Sequence, residues 1–366
     1  MKRKREIIFL IVIATVLVIN KNANADFTFG IPIPVPNVNS EYVDGGPRIS
    51  SDDLMLFFVS SKPGWGDDDW DIWMSKRANK TDPWGEPQNL GPNVNSSFED
   101  AGQSISTDGL SLYFYSLRSG GYGSADIWVT TRATLEDEWG EPKNLGPNVN
   151  SPQDDAAPTI SADGLTLYFV SRRPGSPGDD FWVARRPTVD DDWGPAENMG
   201  PPICSLYGEW TSEITSDDLI FFFSDNYARP RPDGLGLGDI YMSRRSGIND
   251  SWSEPVNLGI PINSPFDDGG VSISADGSTI YFHSNRPDGP GSYDIWQAPI
   301  EPVVDLNGDG IVDADDMCII VDNWGTDNSL CDIGPMPWGD GVVDVQDLIV
   351  LAEHLFEEIP PVEPVE

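Results

Sequence analysis

The chain has 366 residues, of which 22 are Lys or Arg and 60 are Asp or Glu, so its formal net charge at pH 7 is −38. This charge disfavours nucleic acids and anionic membranes as partners, because binding to phosphate requires clustered cations. The composition of 39% hydrophobic and 10% aromatic residues is sufficient for a substantial core, and the length favours two domains.

The N-terminal segment has the features of an export signal. Four basic residues at 2–5 precede an apolar run over 7–19, and Ala-Asn-Ala at 23–25 is a small-x-small cleavage site. The apolar run is too short to span a bilayer comfortably. We therefore predict a signal peptide over residues 1–25. The mature chain would be secreted, periplasmic or held at the cell surface, without an integral membrane segment.

A sequence unit is written five times between residues 37 and 300. Each copy has an S-x-D-G or S-x-D-D turn (T-x-D-D in the fourth copy), an apolar strand with two adjacent aromatic residues, and a D-I-W-like strand. The first four copies also end in a W-G-E-P-like strand. The turn aspartates are Asp52, Asp108, Asp163, Asp217 and Asp276. One such unit cannot bury its apolar face alone, so the repeat predicts units that pack against one another.

Each copy contains about four short β segments separated by turn residues. Four-stranded units repeated radially form a β-propeller, which leaves only short, protected sheet edges. The fifth copy lacks its last strand, and residues 27–34, before the first copy, have the character of a strand. We predict an all-β propeller over residues 26–300 with five four-stranded blades, in which the N-terminal strand completes the last blade.

The repeat resembles the TolB-type (WD40-like) β-propeller repeat, whose signature is S-x-D-G, an apolar strand, S-x-R and then D-I-W/Y. The S-x-R element ends at Arg118, Arg173 and Arg286 in the second, third and fifth copies. The resemblance extends over residues 37–300 and implies the fold. It implies little about function, because propellers serve both as binding platforms and as hydrolases.

Acidic residues recur at two positions of the repeat. The first set is Asp44, Asp100, Asp155 and Asp268, and the second is Asp71, Asp126, Asp180, Asp239 and Asp294. A residue kept in every copy of a repeat is expected to hold a turn or to connect neighbouring blades, whereas catalysis requires a unique constellation. We therefore assign both sets a structural role.

The fourth copy departs from the pattern. Trp210 stands where the other copies have Gly or Ala, and Glu213 aligns with Arg48 of the first copy. If these residues lie on the innermost strand, they surround the mouth of the channel. Trp210 could then stack on a sugar ring while Glu213 and Arg48 bind its hydroxyl groups. The alternative is that Trp210 fills a gap left by the unusual Cys204.

Two further features of the sequence bear on possible chemistry. The loop at 65–70, W-G-D-D-D-W, suits either calcium or a saccharide, and it also suits an ordinary solvated loop. The chain has only two histidines, His283 and His354, so no Ser-His-Asp set is evident. Paired carboxylates for glycoside hydrolysis depend on a spacing across a cleft that the sequence does not reveal.

The C-terminal region contains a calcium-loop pattern. Residues 305–316 follow D-x-N-x-D-G-x-x-D-x-x-D, which is the spacing of an EF-hand-type loop with Asp at position twelve. Hard oxygen ligands at alternate positions around a tight turn are what Ca²⁺ requires. The predicted ligands are Asp305, Asn307, Asp309, the carbonyl of Ile311, Asp313 and Asp316. An apolar stripe of Met317, Ile320, Val321 and Trp324 follows the loop at helical spacing.

A second loop at 339–347 matches the later half of the first. Its predicted ligands are Asp332, Asp340, the carbonyl of Val342, Asp344 and Asp347. Counting back from this match places Met336 and Trp338 at positions one and three, and neither is a usual calcium ligand. Asp332 would therefore have to reach the site over a longer loop.

Two calcium loops, each followed by a helix, make residues 305–358 resemble a type I dockerin. The resemblance implies a small α-helical domain that folds with Ca²⁺ and docks onto a cohesin module. Residues 314–315 and 345–346 lack the Ser/Thr pattern of well-known dockerins, which favours a divergent cohesin-like partner or an intramolecular surface. In an exported module, Cys318 and Cys331 are expected to form a disulfide.

The remaining residues complete the domain prediction. We expect residues 301–304 to be a linker and residues 359–366 to form an extended Pro/Glu-rich tail. Three functions remain open: an exported protein whose propeller recognises a glycan or cell-envelope component, a carbohydrate-active hydrolase with its active site in the channel, and an assembly protein that makes only protein contacts. The hydrolase requires unrepeated carboxylates in a central cleft.

Overall fold

The computed structural model describes residues 27–64, 70–175, 178–226, 228–326, 328, 331–334 and 342–358. The chain has a compact unit of residues 29–301 and a second unit that contains residues 302–366. The predicted signal peptide, the tail at 359–366, the loop residues 65–69 and Asp340 lie outside the described residues. Among the described helices, none has the length and apolar character needed to cross a membrane.

The larger unit is a five-bladed β-propeller, as predicted. Its first four sheets are each an antiparallel meander of four strands. Blade 1 consists of β3 (Asp44–Ile49), β4 (Met55–Ser60), β5 (Asp71–Lys76) and β6 (Gln88–Asn89), and blade 2 of β7 (Asp100–Ile105), β8 (Ser111–Ser116), β9 (Asp126–Thr131) and β10 (Lys143–Asn144). Blade 3 consists of β11 (Asp155–Ile160), β12 (Thr166–Ser171), β13 (Asp180–Arg185) and β14 (Glu197–Asn198), and blade 4 of β15 (Glu209–Ile214), β16 (Ile220–Asp225), β17 (Ile240–Arg244) and β18 (Val256–Asn257).

Blade 5 is closed by the N-terminal segment, which confirms the prediction for residues 27–34. Its strands are β19 (Asp268–Ile273), β20 (Thr279–Ser284) and β21 (Asp294–Pro302), together with β1 (Phe27–Phe29) and β2 (Ile33–Pro34). Strand β2 pairs antiparallel with β21, with Ile33 opposite Gln297 and Pro34 opposite Trp296. The predicted linker at 301–304 therefore begins inside β21, and Val304 is buried in the core of the C-terminal unit.

The S-x-D turn is stabilised by its own side chains. In blade 1, the hydroxyl of Ser50 donates to Oδ1 of Asp52 at 2.5 Å, and the same oxygen accepts the backbone N–H of Leu54 at 3.0 Å. The next residue, Asp53, has a φ of 59°, which is why three of the five copies have Gly there. This local chemistry joins the first two strands of each blade.

The N-V-N-S segment ties each blade to the next. The amide of Asn95 accepts from the N–H of Ile72 at 2.8 Å and donates to its carbonyl at 3.0 Å, so it completes the backbone pairing of the D-I-W strand. The equivalent asparagines at the other junctions are Asn39, Asn150 and Asn263. At the junction of blades 3 and 4 this position is Cys204, whose thiol contacts the carbonyl of Phe181 at 3.5 Å.

The C-terminal unit has two helices, α1 (Ala314–Asp322) and α2 (Val345–Glu353). Each begins with a capping box, formed by Asp313 with Asp316 and by Asp344 with Asp347. A small core contains Val304, Val312, Ile320, Cys331, Ile333, Val343, Val350 and Leu351. Part of the predicted apolar stripe is not in this core, because Val321 and Trp324 are exposed.

Candidate ligand-binding site

The propeller contains a central cavity of about 540 Å³ near the start of its innermost strands. All five blades contribute to its lining. The side chains that give it chemical character are Trp70, Glu99, Tyr115, Arg172, Trp210, Asp225, Asn226, Asp267, His283 and Tyr293. Aromatic rings beside a few polar groups are typical of sites that bind small molecules.

Two carboxylates of the cavity are held by tyrosines. The hydroxyl of Tyr115 donates to Glu99 at 2.5 Å, and that of Tyr293 donates to Asp267 at 2.6 Å. Burial, followed by the charge of Glu99, raises the pKa of Tyr115 well above its ordinary value. The tyrosine therefore remains a hydrogen-bond donor at neutral pH. Both pairs present polar groups of fixed orientation to a ligand.

Of the predicted ligand-binding residues Arg48, Trp210 and Glu213, Trp210 lines this cavity, as does Trp70 from the loop at 65–70. Trp210 lies on β15 and is partly buried, because it also packs against the cluster that contains Cys204, Phe181 and Phe223. The two interpretations of Trp210 from the sequence, as a ligand-stacking residue and as a residue that fills a gap beside Cys204, are therefore both compatible with its environment. The ring fills space beside Cys204 and also borders the cavity.

Arg48 and Glu213 lie further along the innermost strands, where they pair with each other. Arg48 also donates to the carbonyl of Ser212 at 2.8 Å and to the carbonyl of Gln103 at 3.3 Å, so one side chain links blades 1, 2 and 4. Burial lowers the pKa of Arg48 to about 10, which still leaves it charged at neutral pH. The structure thus gives this pair a role in connecting blades, and neither residue lines the cavity.

His283 and Asp225 also line the cavity and, like the two tyrosine–carboxylate pairs, were not among the predicted ligands. His283 accepts the backbone N–H of Gly46 through Nδ1 at 3.2 Å, and burial lowers its pKa, so the ring is neutral. Asp225 accepts the N–H groups of Asp239 at 2.7 Å and Arg231 at 2.6 Å, and burial raises its pKa to about 6. The signal for Asp225 was available in the repeat, because the other copies have Ser at this strand position.

The repeated acids have structural partners, in agreement with their predicted role. Asp126 accepts from the N–H of Gly123 at 2.9 Å and the amide of Asn144 at 2.8 Å. The other set, with the exception of Asp44, forms ion pairs with the arginine of S-x-R. These pairs are Asp100–Arg118 at 2.6 Å, Asp155–Arg173 at 2.5 Å and Asp268–Arg286 at 2.6 Å, with Glu209–Arg231 at 2.9 Å in blade 4.

The first predicted calcium loop forms a series of tight turns. The carboxylate of Asp305 accepts the N–H groups of Gly308 and Gly310 at 2.8 and 2.9 Å, and Asp316 accepts that of Leu306 at 2.8 Å. The donor set is all oxygen, which suits Ca²⁺. Over the ranges that the structure describes, no group of three or more His, Cys, Asp or Glu side chains is gathered closely enough to hold a metal.

The two halves of the C-terminal unit share a hydrogen-bond pattern that fixes the register of the second loop. Asp316 accepts the N–H groups of residues 306 and 307, and Asp347 accepts those of residues 333 and 334. Asp332 is therefore the counterpart of Asp305, and Gly334 is the counterpart of Asn307. Counting back along the sequence places Met336 and Trp338 at these positions, whereas the hydrogen bonds place Asp332 and Gly334 there, in keeping with a longer second loop.

All three cysteines are free thiols, so the predicted disulfide between Cys318 and Cys331 is not present. The physical reason is their placement: Cys318 is on the exposed face of α1, whereas Cys331 is buried in the core of the unit. Burial raises the pKa of Cys204 to about 12. Its thiol is therefore protonated and a poor nucleophile.

Comparison with known proteins supports the class of fold. No family model and no curated protein matches the chain. Among solved structures, an α-L-arabinofuranosidase from Podospora anserina, determined in complex with cellotriose, has a TM-score of 0.50 and 10% identity, with 75% of this chain and 97% of that chain covered. TolB from Acinetobacter baumannii has a TM-score of 0.40 and 14% identity, with 69% of this chain covered; the chain spans 53% of that TolB.

At this level of identity the likeness shows the fold alone, and the class of protein that the fold defines is a five-bladed β-propeller. The S-x-D turns and S-x-R pairs, which carry the resemblance to the TolB-type repeat, occupy equivalent places in successive blades.

Proposed function

We propose that the protein is an exported binding protein whose propeller takes a saccharide in its central cavity. The observation that carries this proposal is the cavity lining, in which Trp70 and Trp210 accompany the tyrosine–carboxylate pairs Tyr115–Glu99 and Tyr293–Asp267. Indole rings offer flat apolar faces to the C–H groups of a sugar, and oriented polar groups bind its hydroxyls. A neutral glycan also avoids repulsion from a strongly acidic protein.

The test is calorimetric titration of the mature protein with a panel of neutral oligosaccharides. We expect Trp210→Ala to weaken the affinity for the bound sugar by about tenfold, because a stacking surface is removed, which corresponds to about 1.4 kcal/mol. Tyr122→Ala is the matched control, since Tyr122 is an exposed aromatic residue outside the cavity. Equal affinities for the wild-type protein and Trp210→Ala would rule out this cavity as the sugar site.

A carbohydrate-active enzyme is the second candidate, and Asp225 is the observation in its favour. Burial raises the pKa of this cavity carboxylate to about 6, which is a range suited to a general acid. Its two oxygens are nevertheless engaged by backbone N–H groups. Release of reducing ends from the same panel, abolished by Asp225→Asn, would favour the enzyme over the binding protein.

We further propose that residues 305–358 form a dockerin-like module that binds Ca²⁺. Asp305, Asn307, Asp309, Asp313 and Asp316 would hold the ion with the carbonyl of Ile311, and Asp332, Asp340, Asp344 and Asp347 would hold a second one with the carbonyl of Val342. The oxygen-only donor set, the repeated capping aspartates and the matched registers of the two halves support this proposal.

Calcium binding is tested by thermal unfolding of the full chain with Ca²⁺ or excess chelator. Because binding to the folded state alone stabilises it, Ca²⁺ should raise Tm. Asp309→Asn should reduce this effect, since the exposed Asp309 side chain is a proposed ligand. Asp315→Asn, a neighbouring exposed acid outside the ligand set, should leave it unchanged. Identical melting with Ca²⁺ and with chelator would refute the calcium site.

A partner for this module would meet exposed apolar side chains. Val321, Val345 and Ile349 are each about half exposed on the two helices, so their side chains are accessible to a partner. We propose that they contact a cohesin-like protein. Ile349→Asp should abolish capture of the partner, whereas Glu353→Asp, a control substitution on the same helix α2, should leave capture unchanged.

Export would be checked by N-terminal sequencing of the mature protein, which should find Asp26 as the first residue.

A further inference from the structure

Blade 1 contains a cavity of about 340 Å³ that is lined by Val38, Asp44, Phe58, Ser60, Lys62 and Trp73, among others. This cavity belongs to the propeller unit and shares none of its lining residues with the central cavity. In the other blades the equivalent positions surround an arginine side chain. These positions are a buried carboxylate, the residue opposite it on the next strand, a Val or Ile carbonyl and two cross-strand aromatic rings.

Blade 2 shows the arrangement of the occupied position. The guanidinium of Arg118 donates to the carboxylate of Asp100 at 2.6 Å and to Oγ of Ser116 at 2.8 Å, and it also contacts the carbonyl of Val94. It lies 5.1 Å from the ring centre of Phe114 and 5.5 Å from that of Trp128. The guanidinium therefore donates hydrogen bonds to the acceptors and also makes cation–π contacts with the two rings.

Blades 3, 4 and 5 repeat this arrangement with their own arginines. Arg173, Arg231 and Arg286 each pair with a buried carboxylate, donate to a Val or Ile carbonyl and lie over a cross-strand aromatic pair. Their side chains are 11–13% exposed, so the position reaches the surface. It is a built guanidinium site in four of the five blades.

Blade 1 keeps every part of this site except the arginine. Asp44, Val38, Ser60 and the cross-strand pair Phe58–Trp73 are the counterparts of the blade 2 residues. The hydrogen bonds from Ser40 go to Oδ2 of Asp44, as those from Ser96 go to Oδ2 of Asp100. Oδ1 of Asp44 is thus the counterpart of the oxygen that accepts an arginine elsewhere.

Lys62 replaces the arginine in blade 1 and does not fill its place. Its ammonium lies 5.2 Å from the ring centre of Trp73, and among the described ion pairs there is none within 4.0 Å between Lys62 and Asp44. A compact ammonium cannot reproduce the planar fork of donors that reaches a carboxylate and a carbonyl together. The carboxylate, carbonyl and rings consequently border the cavity.

We propose that blade 1 binds a guanidinium group from outside the propeller, carried by an arginine side chain of another polypeptide or by a small guanidinium compound. The negative charge of the protein favours such a cation. Residues 301–366 contain no Lys or Arg, so the C-terminal region of this chain does not supply the group. This site is independent of the proposed saccharide cavity.

The test measures binding of N-acetyl-arginine amide and N-acetyl-lysine amide to the full chain by calorimetry. We expect the arginine probe to bind at least about tenfold more tightly, because only guanidinium reaches both acceptors. Lys62→Arg should abolish this binding and raise Tm, since the chain then fills its own site. Equal affinity for the two probes, or arginine binding that survives Lys62→Arg, would overturn the proposal.

Two further variants keep the test independent of folding defects. Arg118→Lys in blade 2 creates the blade 1 arrangement a second time, so the stoichiometry should rise from one arginine probe to two. Asp44→Asn should weaken binding by about tenfold, because a charge-assisted hydrogen bond is lost. A stoichiometry unchanged by Arg118→Lys would count against the site being defined by the missing arginine.

The source of the group is distinguished by comparing free L-arginine with a peptide that contains one internal arginine. Tighter binding of the peptide identifies a partner polypeptide, and equal or tighter binding of the free amino acid identifies a small guanidinium compound. Binding of neither excludes a guanidinium ligand altogether.

Discussion

Single departures from the repeat carry most of the chemical information in the propeller. Blade 4 has Glu209 and Asp225 as a cross-strand pair, where blade 1 has Asp44 and Ser60. Both acidic groups of blade 4 are buried. Blade 4 therefore contains two carboxylates in a place that elsewhere has one, and burial raises the pKa of both.

Glu209 makes a pH dependence of stability measurable. Burial raises its pKa from 4.5 to about 7, although Ser205 and Arg231 partly oppose the shift. The folded protein therefore binds more protons than the unfolded chain between pH 4.5 and 7, and this contribution to stability is lost as the pH rises through 7. We expect the free energy of unfolding to fall across this window, and Glu209→Gln to flatten the slope, as measured by urea unfolding at several pH values.

Glu197→Gln is the control for this experiment, because Glu197 is an exposed carboxylate of the adjacent blade. It should leave the slope unchanged. Asp218 and Asp294, whose pKa values burial raises to about 6, contribute in the same direction. A slope that is identical in the wild-type protein and Glu209→Gln would show that Glu209 titrates normally in the folded state.

At the scale of elements, the closing strand matters most for the ring. Beyond β2, the N–H of Val35 donates to the carbonyl of Ile295 at 2.8 Å. The side chain of Val35 packs in a cluster that contains Phe58 and Trp73 of blade 1 and Tyr281 and Ile295 of blade 5. The N-terminal segment thus contributes backbone hydrogen bonds to blade 5 and apolar contacts to both blades that meet at the closure.

Val35→Ala should therefore lower the free energy of unfolding by about 2 kcal/mol, because it removes buried methyl groups and leaves a cavity. Val35 is 1% exposed, whereas Ile31 in the same segment is 82% exposed. Ile31→Ala should have almost no effect in the same denaturant titration. Equal effects of the two substitutions would show that the closure does not depend on this contact.

At the scale of the whole chain, the dominant property is negative charge. Like charges repel more strongly in the compact state than in the expanded chain. The built-in ion pairs, such as Asp100–Arg118 and Asp155–Arg173, are largely buried and therefore weakly screened. Salt should act mainly on the repulsion among exposed carboxylates.

We accordingly expect Tm to rise when NaCl increases from about 10 mM to about 150 mM, over which the Debye length falls from about 30 to about 8 Å. Scanning calorimetry with chelator present measures this effect apart from specific calcium binding. Sucrose, which does not screen charge, serves as a control for general solvent effects. A Tm that decreases with NaCl would mean that attractive pairs outweigh the repulsion.

The repeat alone determined the five blades, the closing strand and the structural role of the recurring aspartates. This was possible because turn chemistry and strand patterning depend on local sequence, and the same local pattern recurs in all five copies. The S-x-D turn at Asp52, and the two hydrogen bonds between the Asn95 amide and the backbone of Ile72, are each formed by residues that recur in the repeat.

Only the tertiary structure decided which unusual residues meet. Arg48 and Glu213 align in the repeat, yet two blades lie between them in the chain, and their mutual ion pair depends on closure of the ring. The register of Asp332 depended on the hydrogen bonds of Asp347, because loop length cannot be read from ligand spacing. The site around Asp44 became visible for the same reason: its carboxylate, carbonyl and aromatic rings come from separate strands, and their distances are set by packing.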